Sequence, residues 1–342
     1  MSLTLTRMGA HRQVSAGLLP AIVVVAVLTV GSGSVQAKLR VVASPAIATS
    51  STSDAISAAQ AGVPSTDIPA TDVPAVDAPA VGFPVLVVPR DLSALAAGVQ
   101  QVIASSGASV GVTVVELGGK DPVVWSVNAA EVFTAASTYK LAALMLEAQN
   151  IAAGKTDPNG LVCFQADDYE SGWFDDYADG SCFTRNELAL RAGTYSDNTA
   201  GHMLVRDVGG AEALDAWAAS LGATNSAFYV SNTTTSADLA ALWTAEVDGN
   251  LGGAAAQAWL YPLLTNTKTE SGVPAGVAGG TVVVHKTGTI DQVDNDAALV
   301  TSGPAGAYVL VVMTDGLGGP EGWQLIAEIS ATVWQFEASR AQ

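Results

Sequence analysis

The sequence predicts a mixed α/β fold of the α+β type with two lobes. Residues 91–127 follow the order helix–strand–strand, residues 141–264 are almost entirely helical, and residues 281–336 give three strands and a helix. Strands at both ends of this region need partners, and the simplest packing joins them into one five-stranded antiparallel sheet. The terminal helices then flank the sheet, and the helical block forms the second lobe.

The first elements are a helix and a β-hairpin. Asp91 is a suitable N-cap, apolar residues follow it at helical spacing, and Gly107 ends the helix. Two β-branched runs at 110–117 and 123–127 surround a Gly-Gly pair, which predicts the hairpin.

The middle of the chain is helical apart from a loop-rich, acidic and aromatic stretch at 155–183. Residues 141–153 are rich in Ala, Leu and Met and predict a strong helix that closes at Gly154. Further helices are predicted at 186–191, 198–208, 213–221, 238–246 and 254–264.

From Thr281 the apolar pattern changes to a period of two, which is typical of strands. Strands are predicted at 282–284, 297–301 and 308–314, joined by tight turns. Residues 321–336 predict a closing amphipathic helix.

Two segments precede this domain, which is predicted to span 91–342. Residues 1–37 have a basic front, a short apolar run and a small-x-small site, which predict a cleaved secretory signal peptide or, uncleaved, an N-terminal anchor. Residues 38–90 are rich in Ala and Pro, and such spacing of prolines predicts a disordered linker. We therefore expect a secreted or cell-surface protein, and the linker leaves an association with the cell envelope open.

Charge and cysteine content limit the classes of ligand and site that the sequence allows. The chain has 14 basic and 32 acidic side chains and a net charge of −18, which argues against binding nucleic acid or an anionic membrane. Cys163 and Cys182 predict a disulfide in a secreted chain, two separate buried thiols being the alternative. No cluster of His and Cys suggests a metal. We expect no cofactor, a small-molecule or peptide substrate, and a monomer.

Three short motifs carry the chemistry. They are Ser-Thr-Tyr-Lys at 137–140, Ser-Asp-Asn at 196–198 and Lys-Thr-Gly at 286–288. Each is weak alone. In this order, and at these spacings, they describe a site in which a serine is acylated without a histidine triad.

The first motif supplies a nucleophile and a base. Ser137 lies at a helix entrance, where free N–H groups and the positive helix end favour an oxyanion. Lys140 shares a helical face with Ser137, and a buried lysine crowded by another cation can lose its proton and act as a base.

The other motifs supply a proton relay and substrate contacts. Ser196 is expected to relay a proton to a leaving nitrogen, Asn198 to hold a substrate amide, and Asp197 to cap a helix. Lys286 is expected to offer a permanent charge to a substrate carboxylate. Thr287 and Gly288 follow it in the predicted substrate-binding set, and Gly288 would let the substrate backbone approach closely.

A second oxyanion donor is expected from the backbone N–H of Thr289. We assign structural roles to His202 and His285, because no His-Asp-Ser set supports a triad.

These residues resemble the penicillin-interacting serine acyltransferases, and most closely the class A β-lactamase type, over about 91–340. Further landmarks of this resemblance lie at 196–200, 233–235, 271–274 and 295–297. The resemblance implies the two-lobed fold and the roles given above to Ser137, Lys140, Ser196, Asn198, Lys286 and Thr289. By the same analogy the aromatic residues Tyr169, Trp173 and Tyr177 lie at the cleft rim, a packing role being the alternative.

One departure from the family pattern bears on function. In class A enzymes a loop before the Thr-Thr-Thr helix carries the glutamate that activates the deacylating water. Here residues 223–232 contain no Asp or Glu, and by the family pattern the loop is shorter by about a dozen residues. No arginine lies near the strand after Lys286 to help hold a carboxylate.

Three functions stay open on this basis. The first is a D,D-peptidase-like or esterase-like serine hydrolase with slow β-lactam deacylation. The second is an efficient class A-type β-lactamase with an unrecognised water base. The third is a penicillin-binding module without turnover, or a scaffold.

Overall fold

The computed structural model describes residues 91–118 and 122–341. The predicted signal segment at 1–37 and the predicted linker at 38–90 lie outside the described residues. Within the described ranges no helix combines the length and the apolar character needed to cross a membrane.

The predicted antiparallel sheet is confirmed. The strands are β1 (Ser109–Glu116), β2 (Val124–Val127), β3 (Phe133–Thr134), β4 (Leu161–Cys163), β5 (Cys182–Thr184), β6 (Thr233–Thr234), β7 (Val283–Ile290), β8 (Val293–Gly303) and β9 (Gly306–Asp315). Five of them lie side by side in the order β2-β1-β9-β8-β7, and every neighbouring pair is antiparallel. The remaining strands form two short ribbons, β3–β6 and β4–β5.

The predicted helices are present, with ends that differ by a few residues. They are α1 (Ser93–Ser106), α2 (Tyr139–Ala152), α3 (Arg185–Thr194), α4 (Asn198–Asp207), α5 (Ala211–Ser220), α6 (Ser236–Val247), α7 (Gly253–Leu260) and α8 (Pro320–Arg340). The N-cap of α1 is Leu92 and not Asp91 as predicted. Asp91 accepts a hydrogen bond from the Ser93 N–H, and Gly107 adopts a left-handed conformation at the end of α1.

The sheet is buried on both faces. In β9, Val309 and Val311 belong to one apolar core, while Leu310 and Val312 belong to the other, as expected when successive side chains point to opposite faces. Helices α1 and α8 pack against each other, and their apolar side chains lie in the second of these cores; α6 contacts the sheet through β1, β8 and β9. The continuous apolar run in β9 is therefore explained by burial on two sides.

Helix α2 lies at the centre of the helical lobe. Its residues Leu141, Leu144 and Met145 have no exposed surface, and the helix contacts α3, α4, α5 and α7. A helix that is apolar all round packs in a protein interior. This burial carries Lys140, at the start of α2, into the interior of the domain.

Two strands are longer than the sequence predicts. β7 runs to Ile290, so the Lys-Thr-Gly motif lies within the strand rather than at its end. β8 begins at Val293 and includes Asp294, Asn295 and Asp296, all fully buried. An apolar pattern does not reveal these polar residues as strand, because Asn295 and Asp296 are buried through hydrogen bonds to distant residues rather than through apolar contacts.

The β4–β5 ribbon was not predicted, but the disulfide that joins it was, and Cys163 is bonded to Cys182. The two cysteines are direct partners in the register of the ribbon. Both strands have only three residues, too few to give a period-two pattern.

Removal of this disulfide is expected to destabilise the protein by about 3 kcal/mol, since the bond closes a short loop and restricts the unfolded chain. The measurement is urea unfolding of the Cys163→Ala, Cys182→Ala double variant beside the oxidised parent. The reduced parent should match the variant. An unfolding midpoint equal to that of the oxidised parent would contradict the expectation.

Candidate active site

All three motifs meet at one cleft of about 310 Å³. Ser137, Ser196 and Asn198 line it from the helical lobe, while Lys286, Thr287 and Thr289 line it from β7. Lys140 lies beneath this surface, and its side chain is fully buried. The structure thus brings the sequence-predicted residues of both lobes together.

The predicted nucleophile, Ser137, sits in a strained turn. Ser137 lies in a 3₁₀ turn (Ala136–Thr138) that leads directly into α2. Ala136, immediately before it, has a φ of 48°, a left-handed conformation that is unfavourable for a residue with a Cβ. Strain of this kind clusters at functional sites.

Lys140 is held by three acceptors. Its Nζ lies 2.9 Å from Ser137 Oγ, 2.7 Å from the Ser196 carbonyl oxygen and 2.8 Å from Asn198 Oδ1. Burial lowers the pKa of Lys140 to about 7. A free amine can donate to the carbonyl oxygen and to the amide oxygen, and its lone pair can accept the Ser137 hydroxyl hydrogen. The arrangement therefore fits a base for Ser137.

Ser196 lies between two lysines. Its carbonyl oxygen accepts from Lys140, and its hydroxyl accepts from Lys286 Nζ at 2.9 Å. Lys286 is buried, and burial together with the nearby Lys140 holds its pKa well below the usual lysine range. Burial disfavours the charged form of Lys286, whereas a substrate carboxylate beside its Nζ would favour that form.

A close backbone contact, which the sequence did not indicate, explains why residue 288 is a glycine. A Cβ at this position would lie 2.7 Å from the Ala135 carbonyl oxygen and 3.0 Å from the Ser137 nitrogen. The close approach is therefore between β7 and the turn that contains Ser137. It brings the neighbouring Thr289 to the cleft beside Ser137.

Asp197 caps α4, as predicted, and also fixes the cleft rim. Its carboxylate accepts from the Ala200 N–H, from the backbone N–H groups of Trp173 and Phe174, and from Tyr177 Oη. Trp173 lines the cleft, whereas Tyr177 is buried. Tyr169 is exposed and does not line the cleft. Of the three aromatic residues predicted for the rim, Trp173 alone lines the cleft.

Comparison with known proteins shows which family the chain belongs to. Residues 94–336 match the model of the Beta-lactamase enzyme family. The chain belongs to this family. No curated protein sequence matches it.

Solved structures of the β-lactamase family superpose on most of the chain. A mutant of PBP-A, in an acyl-enzyme complex with penicillin G, is 26% identical, with 71% of this chain and 96% of that chain covered and a TM-score of 0.66. A β-lactamase from Sphaerobacter thermophilus is 27% identical, with coverages of 73% and 99% and a TM-score of 0.65. A variant of the class A β-lactamase of the last common ancestor of Gram-negative bacteria is 25% identical, with coverages of 72% and 99% and a TM-score of 0.62.

In this protein the segment between α5 and α6 packs directly against the turn that contains Ser137. Asn232 Nδ2 donates to the Ala136 carbonyl oxygen at 3.2 Å, and the Ala135 N–H donates to the Asn232 carbonyl oxygen at 2.7 Å. Residues 221–235 contain no Asp or Glu. The groups that make these contacts are neutral, and none of them is a carboxylate.

Two charged residues near the site were missed by the sequence analysis. Lys268 lines the cleft, and its Nζ lies 4.8 Å from the ring centroid of Tyr195. Glu170 Oε1 accepts from Asn198 Nδ2 at 2.8 Å. Both lie in irregular segments without a local motif, so only their long-range contacts reveal them. The described cleft lining includes no arginine, and its two lysines are Lys268 and Lys286.

Both histidines have partners consistent with the structural roles that we assigned. His285 is buried with Nδ1 2.9 Å from Asp296 Oδ1 and Nε2 3.1 Å from Glu270 Oε1. Burial alone would lower its pKa, but the two carboxylates outweigh that effect and raise the pKa to about 9. His202 contacts Glu170 and the Asp168 carbonyl oxygen. Among the described residues no group of His, Cys, Asp and Glu is arranged to hold a metal ion.

Proposed function

We propose that this protein is a serine hydrolase that forms an acyl-enzyme at Ser137, with a D,D-peptidase-like or esterase-like activity and slow release of β-lactams. One observation carries the proposal. The Nζ of a fully buried lysine lies 2.9 Å from the Ser137 hydroxyl, and burial brings the pKa of that lysine to about 7. A base whose pKa is close to the working pH is the most effective kind.

Acylation follows from the contacts of these groups. Lys140 as a free amine takes the hydroxyl proton of Ser137, and Oγ attacks the substrate carbonyl carbon. The backbone N–H groups of Ser137 and Thr289 stabilise the oxyanion. Ser196 gives its hydroxyl proton to the leaving nitrogen, or to the leaving oxygen of an ester, and Lys286 can replace that proton because its Nζ lies 2.9 Å from Ser196 Oγ.

The charge around the cleft supports a substrate that carries a carboxylate. Lys268 and Lys286 line the cleft, and its described lining includes no Asp or Glu, although the chain has a net charge of −18. A cleft lined by lysines in an acidic protein favours anionic ligands, and a bound carboxylate favours the charged form of Lys286. A peptide ending like D-Ala-D-Ala and a β-lactam both meet this requirement.

Deacylation is the step that the proposal makes slow. The segment that carries the water-activating glutamate in class A enzymes has no carboxylate here, and one positioned base contributes typically about 10²- to 10⁴-fold in rate. The similarity to PBP-A, a mutant of which was solved as an acyl-enzyme with penicillin G, supports a long-lived penicilloyl adduct.

An efficient β-lactamase is the second candidate, favoured by the 27% identity to the Sphaerobacter thermophilus β-lactamase. A penicillin-binding module without turnover, or a scaffold, is the third.

Steady-state kinetics separates these functions. We expect turnover of a D-Ala-D-Ala peptide or a simple ester, with kcat for benzylpenicillin lower by about 10²-fold or more because of the missing base. Ser137→Ala should remove every activity. Rapid penicillin hydrolysis would favour the second candidate, and no turnover of any of these substrates by the wild type would favour the third.

A further inference from the structure

One carboxylate reaches the catalytic groups from a loop that the family pattern does not indicate. Glu170 lies between β4 and β5, far along the chain from the segment before α6. Its Oε1 accepts from Asn198 Nδ2 at 2.8 Å, and Asn198 Oδ1 accepts from Lys140 Nζ at 2.8 Å. A single amide group therefore separates Glu170 from the proposed base of acylation.

The position of Glu170 is fixed by its backbone as well as by its side chain. Its N–H donates to Thr199 Oγ1 at 3.1 Å, and the Thr199 hydroxyl donates to its carbonyl oxygen at 2.8 Å. Its Oε2 lies 3.1 Å from His202 Nε2, and His202 Nδ1 lies 3.0 Å from the Asp168 carbonyl oxygen. Because a carbonyl oxygen can only accept, Nδ1 carries a hydrogen in this contact, and Nε2 and the Glu170 carboxylate form a pair that is hydrogen-bonded when one further proton lies between them. Such a pair can accept and return protons.

The other carboxylates around the site already have hydrogen-bond or ion-pair partners in the protein. Asp197 is buried and accepts four hydrogen bonds from the protein. Asp168 pairs with Arg206 through both oxygens. Asp296 is buried against His285. By contrast, 54% of the Glu170 side chain is exposed, so water can reach it.

A buried hydroxyl beside these groups also lacks a partner within the described structure. Tyr139 Oη has no hydrogen bond. It lies 2.8 Å from the position that a Cβ on Gly201 would take, and Lys140 Cε lies 2.6 Å from the same point. Buried polar atoms are normally satisfied by protein or by water. Tyr139 Oη therefore still needs a polar partner, which a water molecule beside Lys140 would supply.

We propose that Glu170, oriented by Asn198 and His202, is the base that activates water in the slow hydrolysis of the acyl-enzyme. This inference rests on the proposed function. The water oxygen bonds to the acyl carbon and its proton passes to Glu170. The bond from the acyl carbon to Ser137 Oγ then breaks with its electron pair going to Oγ. The proton returns from Glu170 to Oγ, which gives free serine, the carboxylic acid product and an ionised Glu170.

The test compares Glu170→Gln with the wild-type protein. Glutamine keeps an acceptor for Asn198 but cannot serve as the base. Intact-mass time courses with benzylpenicillin give the rates of adduct formation and loss separately. We expect formation to be nearly unchanged and loss to be slower by about tenfold or more. In Glu170→Gly, added formate should partly restore the rate of loss. Glu212→Gln, an exposed carboxylate on α5, is the matched control and should behave as wild type.

The outcomes separate the two proposals. Equal rates of adduct loss in wild type and Glu170→Gln would overturn the role of Glu170 and leave the proposed function intact. A fall in formation and loss by the same factor, without rescue by formate, would also overturn it, because Glu170 would then only position Asn198. No adduct and no hydrolysis in either protein would contradict the proposed function itself.

Discussion

Replacement of Lys140 by methionine is expected to lower the rate of Ser137 acylation by about 10²- to 10⁴-fold. The change removes the group whose Nζ lies 2.9 Å from Ser137 Oγ, while it keeps most of the buried volume of the side chain. Methionine cannot take the hydroxyl proton, and Asn198 and the Ser196 carbonyl oxygen lose their donor. The measurement is the rate of adduct formation with benzylpenicillin under single-turnover conditions.

The role of Lys140 as the base also predicts the pH dependence of acylation in the wild type. The pKa of Lys140 is lowered to about 7 by burial, so the amine is protonated and inactive as a base below that pH and free above it. The acylation rate should therefore rise as the pH passes through about 7 and then level off. Lys140→Arg is the matched control, because a guanidinium stays protonated throughout this range and cannot act as the base. An acylation rate that does not change across this range would contradict the role of Lys140.

Replacement of Asp197 by alanine should have the largest effect on stability among the site residues, about 3–5 kcal/mol. The carboxylate is fully buried, caps α4 and accepts from two backbone N–H groups of the rim and from Tyr177 Oη. Its removal leaves these donors without their acceptor, and it also loses a helix cap. Because Trp173 is held by this carboxylate, KM should rise as well.

Urea unfolding of Asp197→Ala and Asp197→Asn tests this expectation. Asparagine keeps one oxygen acceptor and should recover part of the stability. Asp91→Ala is the control, since its carboxylate also lies at a helix start, at α1, but is fully exposed, and its midpoint should stay close to that of the parent. If Asp197→Ala unfolded at the same midpoint as Asp91→Ala, the proposed anchoring of the rim would be wrong.

Local pattern and cap chemistry predicted most of the fold. The apolar period of α1, the β-branched runs of β1 and β9 and the Ala- and Leu-rich α2 each indicate their own structure, and their order in the chain implies the sheet. The start of β8 was not predictable in this way. Asp294, Asn295 and Asp296 are polar strand residues. Partners distant in sequence satisfy two of them, Thr134 for Asn295 and His285 for Asp296.

The site was predictable where a motif fixes the chemistry and unpredictable where contacts arise only on folding. Ser137, Lys140 and Ser196 meet as their motifs indicate. Lys268 and Glu170 reach the site from irregular segments, and no local pattern distinguishes them from other surface charges. The burial of Lys286 beside Lys140, which lowers the Lys286 pKa, likewise depends on the packing of β7 against the turn that contains Ser137 and is absent from the sequence pattern.

The most direct test of the central claim is an intact-mass time course of the purified protein with benzylpenicillin, with Ser137→Ala alongside. The account predicts a covalent adduct of one penicilloyl group that forms on the wild type, is absent from Ser137→Ala, and persists long after formation is complete. Rapid loss of penicillin without a lasting adduct would contradict slow deacylation. An adduct that also forms on Ser137→Ala would contradict Ser137 as the nucleophile.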